Sequence, residues 1–350
     1  MADTRVLIDT PATAAAKPHA AVAYRPDIDG LRAIAVLAVV IFHARLGVLP
    51  GGFVGVDVFF VISGYLIASI ILKEEAEGRF SLARFYERRI RRIFPALFVV
   101  VAASAALGAL VLTPIDYVAF GRSAVAALAF YSNIYFNRQA GYFAPDAETQ
   151  PLLHTWSLGV EEQFYVVAPF VLLALQRRAG RWRGPIFAAL FAASLGVSAW
   201  GVEREAQWAF YLPHARAFEL MCGVALAMGL VPAVRDRNMR EALAALGMAL
   251  ILGPILLFSA ATPFPGFAAL APALGTALLI HTSTPDDRTQ IGAVLARRPM
   301  VFVGKISYSF YLWHWPLLAF GEYHWGAALT APGRAALLVG AAGLAALSTW

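Results

Sequence analysis

Arg32 and His43 lie eleven residues apart in the apolar run LRAIAVLAVVIFHARLGV, residues 31 to 48. At ~100° per residue, eleven steps return to within about 20° of the start, so a helix puts both side chains on one face about 16 Å apart along its axis. An ionisable group inside a lipid-length apolar helix is costly, turns to the bundle interior or a wet cavity, and marks a functional site by default. The plainer readings are an Arg32 that snorkels to headgroup phosphates and a His43 that is a hydrogen-bonded core residue. His43 has company that favours chemistry. Asp57, in GGFVGVDVFFVISGYLIASIIL, is expected at a similar depth on the returning segment, where a carboxylate orients an imidazole and stabilises its protonated form, as a general base requires. The alternative for Asp57 is a structural buried ion pair.

Ser63, Gly64 and Tyr65 bring two hydroxyls and a close-approach point to mid-membrane, although Ser and Gly also pack helices in lipid. In RFYERRIRRIFP, Arg88, Arg89, Arg91 and Arg92 crowd the head of a third segment. Guanidinium forks bind phosphate bidentately, so the cluster suits a phosphorylated ligand, while topology and anionic lipid account for part of it. Glu161 and Glu162 open another span and lie ~100° apart, so one is expected to turn inward to the level of His43. Tyr165 shares the face of Glu161. A later group, His214, Arg216 and Glu219, again needs a wet interior, and Lys305, Ser307, Tyr308, Tyr311, His314 and Trp315 crowd one further span in a pattern that suits a ligand tunnel.

These residues must be held by membrane helices. The chain is 60% hydrophobic and 14% charged over 350 residues, with a mean hydropathy of +0.66, which excludes a soluble globular protein. In such a chain the net charge of +6 reports orientation rather than nucleic-acid binding. Apolar segments recur near 31–46, 52–72, 93–113, 119–136, 157–175, 185–200, 209–230, 241–259, 266–281, 300–320 and 333–350. The basic stretches KEEAEGRFSLARFYERRIRR, QRRAGRWRG, RDRNMR and DRTQIGAVLARR are expected on the cytoplasmic side. Placing all four there with a cytoplasmic N-terminus requires that 119–136, which carries Arg122 and Asn133, does not fully cross. The fold class expected is an all-α polytopic membrane protein of about ten transmembrane helices plus one re-entrant or interfacial segment. Residues 1–28 read as a disordered cytoplasmic lead-in and 29–350 as the membrane domain. The last segment stops at Trp350 with no polar flank, which predicts an end-truncated form of something longer. The single cysteine, Cys222, reads as a small core residue, and no His, Cys or acid spacing suggests a metal.

The stretches YRPDIDGLRAIAVLAVVIFHA, GGFVGVDVFFVISGYLI, RRIRRIFPAL, LLHTWSLGVEEQFY and ISYSFYLWHWP, in that order, closely resemble the acyltransferase-3 family of bacterial membrane acyltransferases. The resemblance runs over roughly residues 24 to 350. It implies transfer of an acyl group, usually acetyl, from cytoplasmic acyl-coenzyme A to a hydroxyl of a carbohydrate or glycolipid on the far side of the bacterial inner membrane. Acceptors in that family include lipopolysaccharide O-antigens, other exported glycans and small lipophilic molecules. The family's arginine-histidine motif falls on Arg32 and His43. Its cytoplasmic arginine pair falls on Arg88 with Arg91 or Arg89 with Arg92, which would engage coenzyme A phosphates, and its glutamate falls on Glu161. Longer relatives continue into an exported SGNH-type domain, which implies a separate or missing periplasmic partner here.

The mechanism expected has acetyl-coenzyme A as donor and His43 as base. Asp57 or Glu161 orients the ring, Arg32 serves the donor, and Ser63, Tyr65 or Tyr308 stabilises the oxyanion. Direct transfer and an acyl-histidine or acyl-serine relay both remain open. The rival class is a transporter or flippase for a sugar-lipid, with the buried His and acids as a proton relay, and a third reading is a non-catalytic membrane subunit. The clustered arginines favour the enzyme.

Overall fold

The structure is a computed structural model that describes residues 24–139, 149–285 and 287–349. Every regular element among them is helical: α1 (Pro26–His43), α2 (Gly55–Ala76), α3 (Leu82–Val111), α4 (Pro114–Leu128), α5 (Ser132–Arg138), α6 (Trp156–Arg178), α7 (Arg183–Tyr211), α8 (Pro213–Ala227), α9 (Arg237–Leu257), α10 (Leu270–Thr282), α11 (Gln290–Leu295), α12 (Arg298–Trp325) and α13 (Ala331–Thr349). α1 starts with Pro26 at a position where the missing N–H is harmless, and Asp27 and Asp29 in its first turn oppose the helix dipole. The boundary expected at residue 28 therefore falls in the first turn of α1, and residues 1–23 of the expected tail lie outside the described residues.

Among the described residues six helices are long and apolar enough to cross a membrane: α2 with the turn before it, α3, α6, α7, α9 and α13. The protein is an all-α membrane protein, as its sequence predicts. Of the other expected crossings, α8 and α10 have 15 and 13 residues, while α1 and α12 carry charged and polar side chains along lengths of 18 and 28 residues. These four pack closely on other helices, α1 and α12 on each other, α8 on α2 and α10 on α9, so much of their surface faces protein and need not be lipid-compatible. The weak segment 119–136 does not form one helix. Thr113 caps α4, whose 15 residues rise about 22 Å, short of the ~30 Å hydrocarbon core. Its chain then turns through Phe130 at φ +54° into the seven-residue α5. Asn133 there is buried against α6 and α7, where its side-chain amide donates to Gln163 and to the Tyr211 carbonyl.

All four basic stretches gather at one end of the bundle. Arg177 bridges to Glu75, which joins the first two, and Arg237 and Arg240 both pair with Asp287, which joins the last two. Met228 and Leu230, just ahead of the third, pack in the cluster that holds Ile71 and Phe80. At the opposite end lie His43, the turn at 52–54 and the start of α6.

α2 and α8 meet backbone to backbone. A Cβ added to Gly64 would stand 1.9 Å from the Leu220 carbonyl oxygen, and one added to Gly223 would stand 2.0 Å from that of Val61. Neither neighbour is a flexible side chain, so the helices must part. Gly64→Val is expected to destabilise the protein by at least the ~1–3 kcal/mol of ordinary overpacking, read as a lower midpoint of SDS-induced unfolding in mixed micelles. An unchanged midpoint would show that the two helices are not held at this distance.

Candidate active site

At the basic end a cavity of about 220 Å³ opens between α1, α2, α3, α6 and α12. Arg89 and Arg92, three apart and so on one face of α3, both line it, as do Arg32, Glu161, Glu162 and Ser63. Arg88 and Arg91 occupy the other face: Arg88 pairs with Glu74 at 2.9 Å and Arg91 with Glu87 at 2.7 Å, both largely exposed. Of the two registers allowed by the sequence, Arg89 with Arg92 is the one that reaches a cavity. Arg32 faces the same cavity and stands 3.6 Å from Asp29, so it turns inward rather than to headgroups.

Ser63 donates to Glu161 Oε1 at 2.5 Å. This corrects the expected depth of Glu161: it belongs to the arginine-lined cavity and does not meet His43, because it sits five residues along α6 from its start, more than a turn toward the basic end. Tyr308 also lines this cavity, but its hydroxyl donates to the Ile93 carbonyl at 3.0 Å, so its proton is already committed. Tyr65 lies across α2, packed in the cluster around Cys222, and is not brought to the site. Ser307, whose role the sequence did not single out, is fully buried in the cavity wall, and its hydroxyl has no partner among the described residues.

His43 is held by a second histidine. Its Nδ1 lies 2.9 Å from Nε2 of His314, with the rings nearly parallel at 7° and their centroids 5.2 Å apart. The other nitrogen of His314, Nδ1, lies 2.6 Å from the Tyr311 carbonyl oxygen. A carbonyl only accepts, so His314 carries its proton on Nδ1 and offers the Nε2 lone pair. His43 must then donate from Nδ1, and the nitrogen left with a free lone pair is His43 Nε2. Trp315 meets the His43 ring edge-on at 4.6 Å, with its indole N–H donating to the Gln150 carbonyl. His154, both of whose ring nitrogens are unpartnered among the described residues, packs its ring 5.7 Å from that of His314.

Asp57 is not the orienting carboxylate. Its side chain turns toward α8 and pairs with Arg216 at 3.1 Å, and Arg216 pairs with Glu219 at 3.2 Å, all three essentially inaccessible. The buried-ion-pair alternative holds for Asp57. Two acids and one cation in neighbouring apolar runs were the signal for this triad.

His43 lines a cavity of about 560 Å³ on the side of the bundle opposite the arginines. Val56 and Tyr311 belong to the walls of both this cavity and the arginine-lined one, so the two abut at that pair. The Tyr311 hydroxyl donates to the His154 carbonyl and lies 2.8 Å from Ser157 Oγ, which fixes the partition. The site thus has an arginine-lined chamber and, abutting it, a second chamber whose wall carries a histidine with a defined free lone pair. Among the described residues no three His, Cys, Asp or Glu side chains are grouped to hold a metal ion.

The family model described as an acyltransferase domain matches residues 25–350, and the chain belongs to that family, acyltransferase-3. A Komagataeibacter xylinus protein named as a membrane-bound transacylase, BcsY, is 35% identical over 299 residues, 85% of this chain and 74% of its own. A Staphylococcus aureus protein named as an O-acetyltransferase is 34% identical over 313 residues, 85% of this chain and 51% of its own. The peptidoglycan O-acetyltransferase OatA of Listeria monocytogenes is 31% identical over 313 residues, 84% of this chain and 49% of its own. The chain spans about half the length of these last two. No solved structure matches. The membership supports acyl transfer as the chemistry.

Proposed function

We propose that the protein transfers an acetyl group from acetyl-coenzyme A, bound at Arg89 and Arg92 on the cytoplasmic side of a bacterial inner membrane, to a hydroxyl of a glycan or glycolipid that reaches His43 from the outer side. The observation that carries this is the hydrogen-bond chain from the Tyr311 carbonyl through His314 to His43, which leaves Nε2 of His43 as an unprotonated base on a residue in the wall of the outer chamber, the one that abuts the arginine-lined chamber at Val56 and Tyr311. The donor would enter the arginine-lined chamber, whose guanidinium groups suit phosphates. The basic stretches gathered at that end support a cytoplasmic orientation, with the N-terminus on the same side.

In the reaction, His43 Nε2 takes the acceptor's hydroxyl proton as its oxygen bonds to the thioester carbon. The carbon–sulfur bond breaks, and the proton passes to the departing thiolate. The unpartnered Ser307 hydroxyl, in the wall of the arginine-lined chamber, offers a hydrogen bond to the acyl donor bound there. His314 takes the orienting role expected of Asp57 or Glu161, while Glu161 balances the arginines and holds Ser63. Membrane lipids surround the outer helices, and an SGNH-type domain is a further partner to which the resemblance points.

The test is release of coenzyme A from acetyl-coenzyme A by the purified chain in lipid, with a crude glycan fraction as acceptor. Combined Arg89→Ala and Arg92→Ala replacement is expected to raise the half-saturating donor concentration by at least about 100-fold, since each hydrogen bond to a charged group contributes ~1.5–3 kcal/mol and every ~1.4 kcal/mol is about tenfold. Arg88→Ala with Arg91→Ala is expected to change it less than about threefold, as exposed ion pairs contribute little. Equal effects of both pairs would remove the donor site from this chamber.

A further inference from the structure

We infer that the cavity shared by His43 and Arg216 is the acceptor's recognition site, and that it is built for a neutral polyhydroxylated ring rather than an anionic one. The inference rests on the acyl-transfer reading and assigns the half of the site that the reading leaves open. Both His43 and Arg216 lie in the wall of this 560 Å³ cavity, so one ligand can present a hydroxyl to the base while another part of it meets the guanidinium.

The chemistry of Arg216 selects the ligand. Its side chain is 1% exposed, and its Nη2 serves Asp57 and Glu219, yet Nε and Nη1 have no partner among the described residues. Buried donors without acceptors cost free energy, and ligand hydroxyl oxygens would satisfy them. Its charge, by contrast, is already opposed by two carboxylates. An anion entering beside it would gain little from a charge already countered by the acids buried behind it, whereas ligand hydroxyl oxygens can accept from its free N–H groups without bringing a charge into a medium of low dielectric. The rest of the wall agrees. Trp156, Phe210 and Phe264 line the cavity, and their ring centroids lie 5.3 to 5.8 Å from the guanidinium carbon. A sugar ring fits such a place, with its C–H face on aromatic carbon and its hydroxyl rim on the few polar groups.

The test compares methyl glucoside with methyl glucuronoside, which differ by one carboxylate, as probes of the full chain in nanodiscs by saturation-transfer NMR. Methyl glucoside is expected to bind, and methyl glucuronoside to bind at least about tenfold more weakly. Arg216→Lys keeps the charge and removes the fork. Because it touches a buried triad and can impair folding, Phe264→Ala is the second variant, expected to weaken methyl glucoside about tenfold while leaving acetyl-coenzyme A binding unchanged. Tighter binding of the glucuronoside, no binding of the glucoside, or equal binding by wild type and Phe264→Ala would overturn the assignment. The two readings separate cleanly: glucoside binding that depends on Phe264, without coenzyme A release for any acceptor, keeps the site and removes the transfer. Acceptor-dependent release that Phe264→Ala does not alter removes the site and keeps the transfer.

Discussion

Replacing His43 by alanine is expected to lower acceptor-dependent release of coenzyme A by about 10²–10⁴-fold with donor affinity unchanged, the range that general-base catalysis supplies. The same geometry predicts a second loss at a residue that need not touch substrate. His314 accepts from His43 Nδ1 at 2.9 Å, and that bond alone decides which nitrogen of His43 is free. His314→Phe keeps an aromatic ring in place and removes the acceptor, so His43 is free to place its proton on Nε2 and cease to be a base. A fall in kcat of about 10²-fold is expected, with the donor's half-saturating concentration unmoved. His314→Asn, whose amide oxygen can accept, is expected to restore part of it, which a purely packing role would not produce. Measured kcat for the three variants at matched folded protein decides the point. A His314→Phe enzyme with wild-type kcat would show that the histidine pair is structural.

How much of this was legible in the sequence depends on whether spacing along one helix or contact between helices was needed. The arginine pair was legible because i and i+3 share a face; which of the two overlapping pairs turned inward was not. That choice is made by packing between helices: Glu74 on α2 takes Arg88, while Arg91 stays exposed and pairs only with Glu87, one turn back on α3 itself. Depth was also legible, and Asp57 and His43 do lie at the same end of the bundle. Direction was not. α2 is apolar all round, so nothing in its own sequence says that Asp57 turns to α8 instead of α1, and one residue step, ~100°, moves a side chain to a different neighbour. His314 was seen as one polar residue in a crowded span, and only the packing of α1 on α12 brings it to His43. The number of crossings is not fixed by apolar windows for a related reason. Apolar windows do not distinguish a helix that faces lipid from one sheathed by others, and α8 and α10 are too short to span alone.

Removing Arg216 is expected to have the largest effect on stability. Arg216→Leu deletes the one cation facing two fully buried carboxylates, Asp57 and Glu219, and leaves them desolvated with no countercharge. Breaking a buried ion pair from one side typically costs ~3–5 kcal/mol, while replacing all the partners by neutral groups of similar size is often close to neutral. The triple variant Asp57→Asn, Arg216→Leu, Glu219→Gln is therefore expected to regain most of the loss, and the midpoint of SDS-induced unfolding measures both. If the triple variant is as unstable as the single one, the loss lies in packing against Phe60, Trp156, Phe210 and Phe264 rather than in charge. A recovered triple variant has a further use. It keeps a well-packed cavity wall beside His43 but lacks the guanidinium, so its acceptor affinity isolates what Arg216 contributes to recognition from what it contributes to the fold. A buried charge cluster that can be neutralised with little loss of stability, yet with a clear loss of acceptor binding, is one retained for function.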